Sequence, residues 1–431
     1  MLDRIAWGGD AIGTLDDGRV IFVDSGFPGE RALVDVVQSA KRFARGKLAS
    51  ALEETTPRLA ACPSADRCGG CRFQGLSYER ELELKSGALE QMLRRIAPDV
   101  AWPALDVVPS PQPVGYRERV RLRVNAQGQT GYLARGSHEL VPAITCEVLH
   151  PAIEAARPLA GRLSQGLPRV HQIRLEWDEE RRVVVLEIPA EPETWDALHD
   201  TLKARASAEL RPLVDASGEP FELAIALRHQ GRWEAIVGDP HIYRRYGDVV
   251  VQQRSGNFSQ AHRALNLKLR RRVAAWMREA PGEGEQLVAD LFGGAGNLAF
   301  ALADAGFRVS CVDHASEALA AGELSDGERV VEQWLSVNLA EGPFEPIAAL
   351  MARAKGLVLD PPRGGLSPNF VEFLRGTSAD AAVHVSCDPP AFARDMSRLV
   401  TYGWRVQRLE AWDMFPRTPH LELVALLMKS G

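Results

Sequence analysis

The stretch LVADLFGGAGNLAFALA, residues 287–303, decides the architecture of this chain. Strand-forming residues run up to Leu291, glycines follow at 293, 294 and 296, and an apolar segment with helical spacing starts at Asn297. Glycines in such a turn let the backbone reverse sharply and approach a ligand closely. The next strand-like run, FRVSCVD, ends on Asp313, where an acid can accept the hydroxyls of a ribose in a doubly wound α/β sheet. Dinucleotides and S-adenosylmethionine are both bound by this layout. Here the turn reads G-G-A-G-N rather than G-x-G-x-x-G, and Asp290 precedes it. A pyrophosphate needs open amides at that place, whereas S-adenosylmethionine carries no phosphate and tolerates an acid that can hold its amino group. The stretch therefore favours the methyl donor over the nicotinamide cofactor of a dehydrogenase.

Working outward, two further apolar runs end in proline loops: GLVLDPPRGG, with Asp360, and AAVHVSCDPP, with Cys387. Proline cannot continue a strand and fixes the path of the loop. Both side chains then stand at the C-terminal tips of parallel strands, where open α/β sheets bind ligands. Asp360 alternatively caps a helix, and Cys387 alternatively is a small hydrophobe ending a strand. Cys311, inside RVSCVD, reads as core. The last run, WDMFPRTPHLELVALLMKS, places His420 and Glu422 on one face by alternation. If that strand lies beside the one bearing Cys387, the site holds a nucleophile and a carboxylate base; otherwise Glu422 faces water on an edge.

The chain before residue 251 has a different character. Residues 1–52 alternate apolar and polar residues between turn signals, as in a small five-stranded barrel of the OB type. Within them KRFARGK, 41–47, has four basic residues around Phe43. That composition suits phosphate contact and base stacking, or alternatively a charged strand edge. Residues 53–250 read as mixed α+β. They contain CPSADRCGGCRF, with Cys62, Cys68 and Cys71, and far downstream Cys146. Four thiolates fit a zinc site or an iron–sulfur cluster. Three local cysteines and a remote fourth resemble a cubane pattern more than two C-x2-C pairs, although the residues do not themselves choose iron over zinc.

Composition bounds the rest. The chain has 431 residues, six cysteines and a net charge of −6, so nucleic acid would be met by local basic patches rather than by the overall field. No run approaches the roughly 18 apolar residues of a membrane helix, and MLDRIAWGGD lacks the layout of a signal peptide. A cytoplasmic protein without membrane association is expected.

Several motifs in order resemble one family, the class I S-adenosylmethionine-dependent RNA uracil-5-methyltransferases. The subgroup with an N-terminal TRAM domain and a 4Fe–4S cluster, typified by 23S rRNA enzymes, is the nearest match. GDAIGTLDDGRVIFVDSGFPGE is similar to TRAM, C-x5-C-G-G-C to the cluster segment, GYRERVRLRV (115–124) to a tyrosine–arginine stretch and NFSQAH (257–262) to an F-x-Q element. DLFGGAGN, DPPRGG, VSCDPPAFARD and MFPRTPHLE follow in the family's order.

The resemblance implies three units: a TRAM/OB barrel at 1–52, a central domain with the cluster at 53–250, and a Rossmann-like methyltransferase domain at 251–431. It implies that Gln260, Phe292, Asn297, Asp313 and Asp360 contact S-adenosylmethionine, that Cys387 is the nucleophile and Glu422 the proton acceptor, and that Cys62, Cys68, Cys71 and Cys146 hold the cluster. A depressed Cys387 pKa is expected, because the thiolate attacks. The implied substrate is a flipped-out uridine of RNA, 23S rRNA rather than tRNA, met by a monomer. The competing reading is a non-catalytic RNA-binding protein of the same fold. The chain departs from the family at Gly293 (usually Cys), Asp313 (Glu), Asp388 (Asn), Pro390 (Ala) and His262 (Asn). The segment after Asp313 is shortened, which bears on the adenine contacts. Asp388 is expected to act on the neighbouring thiol.

Overall fold

Leu287–Leu291 forms a fully buried strand, and helix Asn297–Asp304 starts from Gly296, which holds a left-handed φ of 88°. The computed structural model describes residues 1–53, 62–279, 286–327 and 330–429. In it this strand lies inside an eight-stranded sheet. The order is Gln333–Ser336, Arg308–Asp313, Leu287–Leu291, Gly356–Leu359, Ala381–Ser386, Glu422–Lys429, Trp404–Trp412 and Leu105–Val108. The first five strands run parallel, and Glu422–Lys429 is antiparallel to both neighbours. Parallel strands covered on both faces read as continuous apolar runs, which is why GLVL and AAVHVS show no alternation. Helix Arg263–Arg278 packs on one face with Val288, Val358 and Val383. Helices Tyr78–Ile96, Pro368–Leu374 and Pro389–Thr401 pack on the other.

The strand order reverses between Leu287–Leu291 and Gly356–Leu359, so a crevice opens beyond the ends of these two strands. The eighth strand, Leu105–Val108, pairs in parallel with Trp404–Trp412. With helix Tyr78–Ile96 it comes from the span 53–250, so the methyltransferase-like unit is discontinuous in sequence rather than confined to 251–431. Pairing satisfies backbone groups that an open sheet edge would leave bare.

Residues 2–53 form a separate five-stranded sheet in the order Leu2–Ile5, Ala11–Thr14, Val20–Asp24, Phe43–Glu53, Arg31–Ser39, with the third and fourth of these parallel. Leu2 N donates to Glu30 O at 2.9 Å and Gly29 N to Leu2 O at 2.8 Å, drawing the two ends of the sheet together. The junction expected after residue 52 borders residues 54–61, which lie outside the described residues. Between the two units is a second eight-stranded sheet, including Arg119–Val124, Gln172–Asp178, Val183–Pro189 and Pro220–His229. Helices Pro151–Ser164 and Trp195–Glu209 bury one of its faces, and the other face carries Arg119, Arg121 and Arg174.

Candidate active site

Cys387 and Glu422 meet at the tips of neighbouring strands. The last rung between Ala381–Ser386 and Glu422–Lys429 is Ser386 opposite Leu423. Cys387 follows Ser386 and Glu422 precedes Leu423, so the two are opposed one step beyond that rung, on the same side of the sheet. Helix Pro389–Thr401 then carries the chain away from the thiol. Its prolines occupy the first turn, where no backbone N–H is needed, and Asp388 is its N-cap, accepting from Ala391 N at 2.9 Å. Cys387, Glu422 and Asp360 all line one cavity of about 1090 Å³.

Acids crowd this crevice. Burial, then Asp313, raises Asp360 to about 7; burial, then Asp360, raises Glu422 to about 8. Burial also pushes the Cys387 thiol up to about 11, with Glu422 and Asp360 adding to the rise and Arg363 opposing it. The depressed thiol pKa expected from sequence is therefore not found: a half-buried thiol facing two carboxyls keeps its proton. Asp388 is not among the causes, because its carboxylate is turned to the helix cap. A crevice walled by repelling acids is electrostatically complementary to a cationic ligand.

The other expected ligand contacts lie around the glycine turn. Asp313 Oδ2 accepts from Gly294 N at 2.9 Å and Oδ1 from Ala315 N at 2.7 Å, so turn and acid lock each other in place. Phe292 holds a left-handed φ of 66°, uncommon for an aromatic residue, and meets Phe370 edge-on at 5.7 Å. Asn297 lines the cavity, but its amide exchanges two hydrogen bonds with Asn266, at 2.9 and 3.0 Å. Asp290 does not reach the cavity. It is 0% exposed beneath the turn, with its carboxyl far above the usual range through burial and through Asp360, so the reading that it holds an amino group from the open crevice is corrected. Cys311 is core, as expected.

Gln260 lines the cavity from the side of the central sheet. Its segment is pinned there: Ser259 Oγ donates to Glu176 Oε1 at 3.1 Å, Gly256 N to Glu176 Oε2 at 3.3 Å, and Arg119 Nη1 to Asn257 O at 2.6 Å. His262, which replaces the family's asparagine, caps helix Arg263–Arg278 by accepting from Leu265 N at 3.4 Å. Phe258 is 71% exposed beneath the Arg119 guanidinium. Arg117, Arg121, Arg228 and Arg363 also line the cavity, so guanidinium groups share it with the acids.

All four N-terminal cysteines border the same cavity. Cys146 lies in the loop after strand Leu140–Pro142 rather than in a strand. Gly70 N donates to Cys68 Sγ at 3.4 Å and Ser64 N to Cys62 Sγ at 3.5 Å, and Tyr132 Oη lies 3.8 Å from Cys146 Sγ. Burial, reinforced by the other thiols, raises Cys71 to about 12 and also raises Cys68 and Cys146. Among the described residues no group of three or more His, Cys, Asp or Glu side chains could hold a metal ion. The KRFARGK segment is split: Lys41, Arg42, Arg45 and Lys47 are exposed, while Phe43 is half-buried and meets Phe22 in a T-shaped contact.

Arg363, Arg228 and Tyr132 were not singled out in the sequence. Only Arg363 carried a local signal, by following the Asp-Pro-Pro run. The other two lie on strands of the central sheet and reach the cavity only by folding.

The chain is similar to several known proteins. A family profile described as tRNA (Uracil-5-)-methyltransferase matches residues 348–430. The 23S rRNA (uracil(1939)-C(5))-methyltransferase RlmD of Chromohalobacter salexigens is 32% identical over 452 residues, covering 99% of this chain and 88% of its own. The protein of the same name from Vibrio parahaemolyticus is 27% identical, covering 96% and 92%. The solved structure of the Pyrococcus abyssi tRNA (uracil-54, C5)-methyltransferase in complex with S-adenosyl-L-homocysteine superposes with a TM-score of 0.72 at 23% identity, covering 99% of this chain and 100% of that one. This last likeness shows the fold.

Proposed function

Because the chain belongs to the RNA uracil-C5-methyltransferase family, we propose that it transfers a methyl group from S-adenosylmethionine to C5 of one uridine in RNA, through a covalent bond between Cys387 and uracil C6. The opposition of Cys387 and Glu422 across adjacent strand ends carries this reading, because the chemistry needs a nucleophile and a base on the same side of one small ring.

Uracil C5 is a poor nucleophile. The attacking form is the Cys387 thiolate, the minor form in the ligand-free protein, so the thiol must first give up its proton to solvent; its addition at C6 then pushes an electron pair towards C5 and O4, giving an enolate. S-adenosylmethionine, when bound, would supply an electrophilic methyl on a positively charged sulfur; as the C5–methyl bond formed, the S–CH3 bond would break and its electron pair would stay on sulfur as a neutral thioether. Glu422 then removes the C5 proton, and elimination breaks the C6–S bond and restores the thiolate. A carboxyl raised to about 8 suits this step, since its conjugate base is stronger than an ordinary carboxylate. Asp360, Asp313, Phe292, Asn297 and Gln260 are the groups that would hold the methyl donor. The acid-walled crevice matches its sulfonium and ammonium charges, and the Gly293–Gly294 turn leaves its chain room to approach. Arg117, Arg119 and Arg121, which line the cavity, fit the phosphates flanking a uridine flipped out of its stack.

We read Cys62, Cys68, Cys71 and Cys146 as holders of a 4Fe–4S cluster. What supports this is the donor set: four sulfurs around one cavity, raised by burial and mutual repulsion, two with backbone N–H donors pointed at them. Soft thiolates select iron–sulfur or zinc, and a cubane spreads its ligands wider than a single ion does. Its part is structural, joining residues 62–71 to the Cys146 loop. The five-stranded N-terminal sheet is read as the TRAM domain, touching RNA through Lys41, Arg42 and Lys47. By likeness to the relatives, 23S rRNA is the proposed substrate, ahead of tRNA, for a monomer acting in the cytoplasm. No helix among the described residues is long and apolar enough to cross a membrane.

The test incubates the protein and S-adenosylmethionine with RNA containing 5-fluorouridine, which has no C5 proton to lose. A denaturation-resistant protein–RNA adduct that is absent in Cys387→Ala supports the reading. Absence of any adduct with either 23S rRNA or tRNA transcripts leaves an RNA-binding protein without turnover.

A further inference from the structure

The segment 413–420 leads into Glu422 and has no regular secondary structure of its own, so something else must set its path. Its central residue, Arg417, holds a left-handed φ of 69°, a conformation that persists in a non-glycine residue when the surroundings over-determine it. The surroundings do. Arg417 N donates to Glu81 Oε1 at 2.6 Å, and Nη1 donates to Glu81 Oε2 at 3.2 Å and to Leu76 O at 3.0 Å. Glu81 is 0% exposed and belongs to a buried ionic cluster on helix Tyr78–Ile96. Lys85 Nζ lies 2.5 Å from Glu81 Oε1 and 2.9 Å from Asp413 Oδ1, and Tyr78 Oη donates to Asp413 Oδ2 at 2.8 Å.

The other side of Arg417 faces the cysteines. Its carbonyl accepts from Arg72 N at 2.7 Å and from Phe73 N at 3.2 Å, the two residues after Cys71. Its Nε lies 3.5 Å from Glu147 Oε1, next to Cys146. Glu147 in turn accepts from Gln74 Nε2 at 2.9 Å, and Gln74 Oε1 accepts from Cys62 N at 3.5 Å.

We infer that Arg417 is a positioning residue that seats the Glu422 carboxylate against the cysteine segment, so that the geometry of the proton-removal step depends on the cysteine site. This rests on the reading of Glu422 as the base. Arg417 is not among the residues lining the cavity that holds Cys387 and Glu422, so it acts through position, and the cysteine site contributes shape rather than chemistry.

The experiment separates the step that needs Glu422 from the step that does not. Arg417→Gln, Arg417→Lys and Glu147→Gln are each compared with the wild type, after thermal unfolding confirms a cooperative fold. With 5-fluorouridine RNA, which stalls before proton removal, Arg417→Gln is expected to form its adduct at the wild-type rate. With ordinary uridine RNA its kcat falls by about 10- to 100-fold, as for a misplaced catalytic group, KM for RNA is unchanged, and a methylated covalent intermediate accumulates. Arg417→Lys recovers part of the loss. Glu147→Gln shows the same accumulation to a lesser degree. Mass-spectrometric alkylation of Cys71 and Cys146 rises in Arg417→Gln. The inference is overturned if Arg417→Gln turns over normally, or if adduct formation and turnover fall together. It is overturned in its link to the cysteines if Glu147→Gln and the alkylation pattern match the wild type. A wild type that forms no adduct removes the reading of Cys387 and this inference with it.

Discussion

Cys311 Sγ stands 2.5 Å from the place a Cβ on Gly293 would take, with Asp290 Oδ2 2.8 Å from the same point. The family usually carries cysteine at the position of Gly293. Here the space that side chain would enter is taken by a sulfur from the neighbouring strand Arg308–Asp313, whose Cys311 pairs with Asp290. The departure at Gly293 is thus matched by a filled volume beside it. Gly293→Ala is expected to destabilise the protein by about 1–3 kcal/mol, the usual cost of overpacking, and to weaken binding of the methyl donor by tilting the turn. Cys311→Ala in the same chain should return much of that loss. Thermal unfolding and calorimetric titration measure both, and a double-variant loss equal to the sum of the two single-variant losses would show that the two sites are independent.

Glu422→Gln keeps the shape of the base but removes its ability to take a proton. Turnover is expected to fall by about 10²–10⁴-fold, while addition of Cys387 and methyl transfer continue. Gel electrophoresis of denatured samples should then show methylated RNA bound to the protein with unmodified uridine as substrate. Free methylated product at the wild-type rate would exclude Glu422 as the base.

The thiol itself is expected to respond to Arg363, the cation that opposes the rise of the Cys387 pKa to about 11. Below that pH the protonated thiol dominates in the free protein, so alkylation of Cys387 by iodoacetamide should accelerate with pH up to about 11. Arg363→Gln removes the opposing charge, raises the pKa further and slows alkylation at pH 8. An unchanged rate in that variant would show that Arg363 does not act on the thiol.

Asp388 gives a contrasting result. As the N-cap of helix Pro389–Thr401 it accepts from Ala391 N, and its replacement by alanine is expected to cost about 1 kcal/mol of stability. The pH dependence of Cys387 alkylation should not move. A shifted profile would restore the reading of Asp388 as a neighbour that tunes the thiol.

Asp360 and Glu422 have folded-state pKa values raised to about 7 and about 8 by burial and by neighbouring acids. In the unfolded chain both groups ionise near 4. Their protonated forms favour the fold, so this contribution is whole below about pH 4 and is lost as the pH rises through 7 and 8. The ligand-free protein should therefore lose thermal stability between pH 6 and 9. S-adenosylmethionine, by placing positive charge among the ionised carboxylates, should stabilise it more at pH 9 than at pH 6. A ligand effect that shrinks with pH would contradict the proposed placement of its charge.

The amino-acid sequence by itself determined the C-terminal architecture, because that information is local. A strand that meets a glycine turn and an apolar run that stops at Asp-Pro-Pro or at Cys-Asp-Pro-Pro each state their own conformation through backbone chemistry, whereas the alternation read from His420 to Glu422 falls on a segment that forms no strand before Glu422. The same locality marked Cys387, Asp360 and Glu422 as strand-tip residues and Cys311 as core. The tertiary structure alone decided how these groups act on one another. Whether Glu422 opposes Cys387 depends on strand pairing between distant segments, and Asp388 turns to the helix rather than the thiol because an unsatisfied amide lies within its reach. The rise of the Cys387 pKa, opposite to expectation, comes from burial and from carboxyls 27 and 35 residues away in the chain. Strand Leu105–Val108 joins a sheet far from it in sequence because that sheet has an edge to cover. Charge, burial and edge pairing are properties of proximity in space, and residue order states them only once the chain has folded.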